Sequence, residues 1–413
     1  MLSKTIIEHE KVFKTDSDID KKAFKELHDF ALSNGKDVLI PGLNYVKARN
    51  YVGLIQTKSG YTIEILPKIY DKKDDKDGEK NKKILLNMLQ KIKDLPSFKD
   101  YNLANLKLDK LPLLEIFIKM FLDEVLGILK RGLLSNYVLR ESNLRFLKGK
   151  LKFNEHIKFN YIHKERFYVE YDEFLSDIPE NRLLKSTLQL LMKISSNFDN
   201  QKIIRELIFT FEDIPRSEHI EVDFIKCRKD RSVDHYKNAM IWSNIFLKNK
   251  SFSTYKGTSI AFALLFPMEK VFEKYVTYLL RRQDKVKFES LKTPDRSYYL
   301  TQEDDKNIFR IEPDFVGETD DKVYIMDTKW KIIDENDKDN KYDLSQPDLY
   351  QLFSYGKIYE ATGKYKEVKL YLFYPENPNL NSVKEFVFQD SSKLKLKLCP
   401  VDCNDQRNLN QFF

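Results

Sequence analysis

The stretch FRIEPDFVGETDDKVYIMDTKWK, from Phe309 to Lys331, decides how this chain is read. It sets Pro313-Asp314 at the end of one apolar segment and Asp327-Thr328-Lys329 inside the next. Side chains alternate along a strand, so Asp327 and Lys329 are expected on one face. Gly317 and the polar run Glu318 to Lys322 suit a hairpin connection, which would bring Asp314 beside Asp327. Val323, Tyr324, Ile325 and Met326 are all apolar, the pattern of a central strand covered on both faces. An Asp and a Lys at the end of such a strand are costly unless they are paired or hold a metal. Two carboxylates and one ammonium converging there suit a hard divalent cation and an anionic substrate.

The order Pro-Asp, hairpin, Asp-x-Lys resembles the signature of the PD-(D/E)XK nuclease superfamily, which implies metal-assisted hydrolysis of a phosphodiester. Each half is short, and this chain is rich in Asp and Lys. Pro294-Asp295 repeats the dipeptide with no strand pattern around it, and is read as a decoy. Two flanking features add weight. Upstream, Phe266 to about Arg282 reads as an amphipathic helix whose apolar stripe holds Phe272, Val276 and Leu279. Glu273 sits at the edge of that stripe and can reach inward, whereas Glu269 fits a solvated face. Downstream, Gln351 and Tyr355 lie four apart on one helix face, in a segment starting near Asp348. That Gln-x-x-x-Tyr spacing resembles the pattern of the RecB-like branch; ordinary helix–sheet packing with a satisfied amide is its alternative reading.

At 413 residues the chain is long enough for two or three domains. With 42% hydrophobic and 33% charged residues it reads as globular rather than disordered. No apolar run approaches a membrane span, and the start lacks a signal-peptide core. Cys227, Cys399 and Cys403 make neither a disulfide framework nor a zinc site, so a cytoplasmic protein with reduced thiols is expected. The net charge of +7 is modest and favours polyanions without naming one. Leu144 to Phe167, LRFLKGKLKFNEHIKFNYIHKERF, interleaves basic and aromatic residues; it suits a phosphate backbone or an exposed strand face equally well.

Along the chain, Val38 to Ile69 is strand-like, with turns at Pro41-Gly42 and Lys58-Ser59-Gly60. Asp71 to Lys83 is a charge-dense loop without core residues, and Ile84 to Ile92 is helical. Leu111 to Leu134 carries Leu114, Phe117, Ile118, Phe121, Val125 and Ile128 at helical spacing. Phe167 to Phe174 predicts a strand; Asn181 to Ile194, Gln201 to Glu212 and Ser232 to Lys248 predict helices. Asn249 to Gly257 is a polar candidate boundary. No phosphate-cradling loop G-x-x-x-x-G-K-[ST] occurs, so a nucleotide-driven motor would have to come from another chain.

Most of the chain resembles the McrC family of nuclease subunits in modification-dependent restriction systems. The resemblance rests on Arg49 to Ile55, Ile63 to Ile69, Arg131-Gly132-Leu133, Leu147 to Leu151, Tyr171-Asp172-Glu173 and Asn181 to Lys185, followed by the nuclease motifs. It implies double-stranded DNA as substrate and a McrB-like hexameric AAA+ GTPase as partner, whose GTPase is stimulated by the N-terminal half. Arg49 and Lys68 are contact candidates for that partner, or simply decorate a small β-domain. Modified cytosine as target, unmodified specific sites, and a stand-alone RecB-like repair nuclease all stay open, as does an adaptor with a degenerate nuclease fold. The expected architecture is α+β and multidomain: a small β-rich N-terminal domain over 1–110, a mainly helical middle region over 111–252, and a PD-(D/E)XK domain over 253–413 with a central mixed sheet flanked by helices. Asp314 and Asp327 would ligate Mg²⁺, with the carbonyl of Thr328 as a third ligand and Glu312 as an accessory one. Lys329 would orient water and stabilise charge, Glu273 would be an outer acid, and Gln351 and Tyr355 would position the site.

Overall fold

The computed structural model describes residues 3–33, 38–92, 111–228, 230–248, 260–389, 393–404 and 407–413. The polar boundary at 249–257 lies outside the described residues. Two contact units emerge: Met1–Leu111 with Ser251–Phe413, and the inserted segment Pro112–Lys250.

The first unit begins with β1 (Ser3–Ile7), β2 (Lys11–Phe13), α1 (Lys21–Ser33), β3 (Leu39–Pro41), β4 (Tyr45–Ala48), β5 (Tyr51–Thr57), β6 (Thr62–Leu66) and α2 (Glu79–Lys91). Strands β5 and β6 form the hairpin expected around Lys58-Ser59-Gly60, and β1 adds in parallel to β6. Helix α1 was not foreseen. Its Ala23, Phe24, Leu27, Phe30 and Ala31 repeat at helical spacing and close a core with Ile55, Ile63 and Ile65. The charge-dense run is also more ordered than expected. Asp75 is buried and accepts the N–H groups of Lys80 and Asn81, at 3.2 and 2.8 Å, where α2 starts. Lys82 is buried against Glu64 at 3.3 Å.

The inserted unit holds α3 (Leu113–Arg131), β7 (Asn136–Leu144), β8 (Lys150–Leu151), α4 (Phe153–Asn160), β9 (Phe167–Leu175), α5 (Pro179–Ile194), α6 (Phe198–Thr210), α7 (Ile220–Lys226) and α8 (Lys237–Lys248). The predicted stripe of α3 is buried throughout, from Leu114 to Ile128. Glu115 on the same helix is buried with five donors on its carboxylate: the Ser195 and Ser196 hydroxyls at 2.8 and 3.2 Å, the main-chain N–H groups of Ser196 and Asn197 at 2.6 and 3.1 Å, and the Asn200 amide at 2.8 Å. A carboxylate there satisfies the orphan donors at the start of α6. Asn181 ties Leu134 O and Ser176 O while accepting from the Tyr236 hydroxyl at 2.8 Å. The basic stretch is not a plain strand face: β8 and α4 fold out of it, and β7, β9 and β8 form a sheet in the order β7-β9-β8.

The chain then re-enters the first unit through β10 (Ile260–Pro267), α9 (Met268–Leu280), β11 (Ser290–Lys292), β12 (Tyr299–Glu303), β13 (Lys306–Arg310), β14 (Phe315–Glu318), β15 (Lys322–Thr328), α10 (Gln346–Ala361), β16 (Glu367–Pro375), β17 (Lys384–Val387) and β18 (Lys395–Val401). Strand β10 pairs antiparallel with β5, placing Leu265 opposite Gly53. A Cβ on Gly53 would stand 2.1 Å from the Leu264 carbonyl, and its φ of +125° suits glycine alone, so this residue permits the close approach. The division into 1–110 and 253–413 is thus replaced by one discontinuous unit, because the N-terminal sheet is completed by a strand from the C-terminal segment.

The larger sheet runs β11-β14-β15-β16-β18-β17 and is mixed: β14/β15 is antiparallel, β15/β16 and β16/β18 are parallel. Helix α10 is the crossover between parallel neighbours β15 and β16, and buries Leu352, Tyr355 and Tyr359 on the sheet. Strand β15 is interior, as its unbroken apolar run requires: Val323 to Met326 are all buried.

Candidate active site

The β14–β15 register pairs Phe315 with Met326, so Asp314, one step before β14, falls opposite Asp327. Asp314 accepts two hydrogen bonds on Oδ2, from the Thr328 main-chain N–H at 2.8 Å and the Thr328 hydroxyl at 2.6 Å. Asp327 is 2% exposed. Burial lifts its carboxyl to about 6, the nearby charge of Asp314 adds to this, and Lys329 works against it. Lys329 Nζ pairs with Asp327 Oδ2 and donates to Gln351 Oε1 at 3.2 Å. Burial pulls the Lys329 ammonium down, but Asp327, Asp314 and Asp348 outweigh it and its pKa ends raised. Gln351 in turn donates to the Tyr355 hydroxyl at 2.7 Å. The chain Asp327–Lys329–Gln351–Tyr355 joins the central strand to α10 by continuous polar contacts.

Glu273, on α9, lines the same cleft as Asp314, Thr328 and Lys329, and pairs with Lys270 at 2.9 Å. The cleft, about 320 Å³, is completed by Glu269, Lys270, Trp330 and Lys331. Glu269 also lines the cleft while staying exposed, as a solvated helix face implies, and it accepts from the Asn50 amide at 3.3 Å. Helix α9 starts at Met268, after Pro267, because Phe266 and Pro267 finish β10. Glu312 is not among the residues lining the cleft. Its carboxylate turns to Arg296, 3.3 Å away, since the chain from Ile311 to Asp314 precedes β14 and does not keep strand alternation.

Sequence reasoning missed Lys331 and Asp348, paired at 2.6 Å beside the cleft. Both carried a signal: Lys331 continues the every-second-residue series Asp327, Lys329, and Asp348 lies one helical turn before Gln351. It also misjudged Asp295. Strand β11 ends just ahead of it, its N–H donates to Pro313 O at 3.2 Å, and its carboxylate is 2% exposed, bonded to the Tyr359 hydroxyl and to Ser297. Burial and that carboxylate push the Tyr359 phenol far up. Asp295 is a buried structural acid behind the cleft.

A family model described as McrBC 5-methylcytosine restriction system component matches residues 46–375. Among solved structures, a refined half-complex of Thermococcus gammatolerans McrB AAA+ hexamers with bound McrC contains a similar chain. The two are 22% identical with a TM-score of 0.76, over 99% of this chain and 97% of that one. A cryo-EM structure of the Thermococcus gammatolerans McrBC complex gives 23% identity and a TM-score of 0.55, over 68% of this chain and 87% of that one. At such identities the likeness is one of fold. No curated protein matches.

Proposed function

Because this chain belongs to the family of McrBC 5-methylcytosine restriction system components, we propose that it is the McrC-like endonuclease subunit of a modification-dependent system. In this reading its larger sheet is a PD-(D/E)XK nuclease core, and it cuts double-stranded DNA when assembled with a McrB-like AAA+ GTPase hexamer. The observation that carries the reading is the polar chain from Asp314 and Asp327 through Lys329 to Gln351 at the rim of a cleft.

The donor set fits Mg²⁺. It is all oxygen, and the mutual charge of Asp314 and Asp327 in a buried setting is what a cation between them relieves. Among the described residues no cluster of three or more His, Cys, Asp or Glu forms, so most of the ion's remaining positions would fall to water and substrate, with the Thr328 carbonyl as a third protein donor. When bound, the ion polarises the scissile phosphate and eases deprotonation of water. Asp314 is held for this task by both donors of Thr328. Lys329, kept protonated by Asp327, orients the attacking water and stabilises negative charge growing on the phosphate. Gln351 fixes the direction of that ammonium, and Tyr355 fixes Gln351. Lys270 and Lys331 line the cleft where backbone phosphates would pass.

The inserted unit supplies the partner contact in this reading. No phosphate-cradling loop exists in the sequence. The sheet of β7, β8 and β9, with α4, exposes the large apolar side chains Tyr137, Leu139, Phe153, Ile157 and Phe174, which a partner surface could cover. The test is a cleavage assay with the AAA+ subunit of the same system, GTP and Mg²⁺, on methylated and unmethylated DNA. Cutting of methylated DNA alone, lost in Asp327→Ala, is expected. Equal cutting of both DNAs favours a system for unmodified sites, and cutting without the partner favours a stand-alone nuclease.

A further inference from the structure

Glu8 follows β1 and continues its pairing by one residue, its N–H donating to Leu66 O at 3.0 Å. Its side chain is 2% exposed. Oε2 accepts the Lys68 main-chain N–H at 3.2 Å and the Trp330 indole N–H at 2.8 Å. Oε1 is buried without a hydrogen-bond partner among the described residues. The two residues joined, Glu8 and Trp330, stand 322 positions apart in the chain.

Trp330 is the residue after Lys329. Its ring is buried against Phe272 of α9, with centroids 5.4 Å apart, and it lines the cleft. An indole N–H needs one acceptor, and a main-chain carbonyl would serve without burying a charge. Here the acceptor is a carboxylate with one bare oxygen, an expensive choice. Burial raises the Glu8 carboxyl to about 7, although Lys68 and the indole donor oppose it. Lys68 faces inward as well: burial lowers its pKa while Glu8 and Glu269 support its charge, and its Nζ lies 3.3 Å from His9 Nε2. Lys68 is thus engaged with this cluster at the cleft's edge.

We propose that Glu8 is a positioning residue for the nuclease reaction. Anchored on the Lys68 backbone, it fixes Trp330, and through Trp330 it sets the placement of Lys329 at the end of β15. The N-terminal sheet thereby becomes a wall of the catalytic apparatus in addition to any role toward the partner. The proposal rests on the nuclease reading above.

The test uses the full chain assembled with its AAA+ subunit, double-stranded DNA and Mg²⁺. Glu8→Ala lowers kcat by roughly 10- to 100-fold with KM for DNA unchanged, as expected when a reacting group is displaced by about an ångström. Glu8→Gln keeps an acceptor for both donors and restores most of the rate. Trp330→Phe loses a similar factor, and the double variant loses no more than either single one. In a Trp242→Phe background Trp330 is the sole tryptophan, and Glu8→Ala shifts its emission and raises its quenching by acrylamide. If Glu8→Ala cuts at the rate of an active wild-type complex, or leaves the Trp330 emission unmoved, the proposal is overturned while the nuclease reading stands. A wild-type complex that cuts no DNA overturns both.

Discussion

Thr328 gives both of its donors, the main-chain N–H and the side-chain hydroxyl, to the same oxygen of Asp314. Strand β15 thus fixes the orientation of a carboxylate that belongs to the neighbouring chain segment. Thr328→Val keeps the β-branched shape and removes only the hydroxyl donor. Cleavage is expected to fall about 10-fold and the Mg²⁺ requirement to rise, as for groups that orient a metal ligand. Thr328→Ser should restore both. The check is a Mg²⁺ titration of the cleavage rate; an unchanged requirement in the valine variant would remove the Thr328 hydroxyl from the site.

Asp327→Ala and Lys329→Ala are each expected to abolish cleavage while partner assembly survives. The two side chains are each other's counter-ion, and Lys329 also carries the contact to Gln351. Lys329→Ala leaves Asp327 buried beside Asp314 without its counter-ion, so a loss of stability of about 3 kcal/mol accompanies its loss of activity, whereas Asp327→Ala leaves Lys329 its contact to Gln351 and costs less. Size-exclusion of the assembled complex alongside the cleavage assay separates the two effects.

The Glu8 carboxyl sets a pH dependence of stability. Its pKa in the folded chain, about 7, lies above its ordinary value of 4.5, with burial as the main cause and Glu269 as a minor one. A raised carboxyl favours the fold fully below the ordinary value and loses that contribution as pH rises through about 7. Glu8→Gln never ionises, so its Tm should exceed that of wild type at pH 8 and meet it near pH 4. Lys68, the facing cation, offsets part of the gain. Equal Tm values at pH 8 would refute the assignment.

Asp295→Asn is expected to lower stability by about 1–3 kcal/mol, because the buried carboxylate serves Tyr359, Ser297 and their neighbours. The cleavage rate per folded molecule should be unchanged, since Asp295 is outside the cleft lining. Urea unfolding measures the first, and cleavage at low temperature the second.

Glu115→Ala should destabilise the inserted unit by about 3 kcal/mol or more, stranding the donors at the start of α6. Denaturant unfolding monitored by Trp242, which lies in that unit on α8, reports it. A midpoint like that of wild type would show that water replaces the carboxylate.

The hairpin, the central strand and the flanking helices were legible because each is written in short-range periodicity. Asp327 and Lys329 share a face by alternation, and Gln351 and Tyr355 by one helical turn. Glu312 turns to Arg296 because alternation holds only inside a strand, and Glu312 and Pro313 lie ahead of β14. Glu8, Trp330 and the β5–β10 pairing were invisible because contacts between distant segments leave no local pattern. Asp295 was misjudged for the same reason: the hydroxyl its buried carboxylate accepts from is that of Tyr359 on α10, far along the chain.

The pairing of β5 with β10 also orders events on the ribosome. When Gly53 has been synthesised, the backbone it must accept at Leu264 does not yet exist, and the whole inserted unit is made in between. Until β10 has been made, the N-terminal sheet has an unfilled edge along β5. Such late, long-range closure is slow and exposes strand edges to misassembly. Strand β10 is followed directly by α9, so the segment that seals the early sheet also delivers Glu273 to the cleft. Until that edge is sealed, one wall of the cleft is missing.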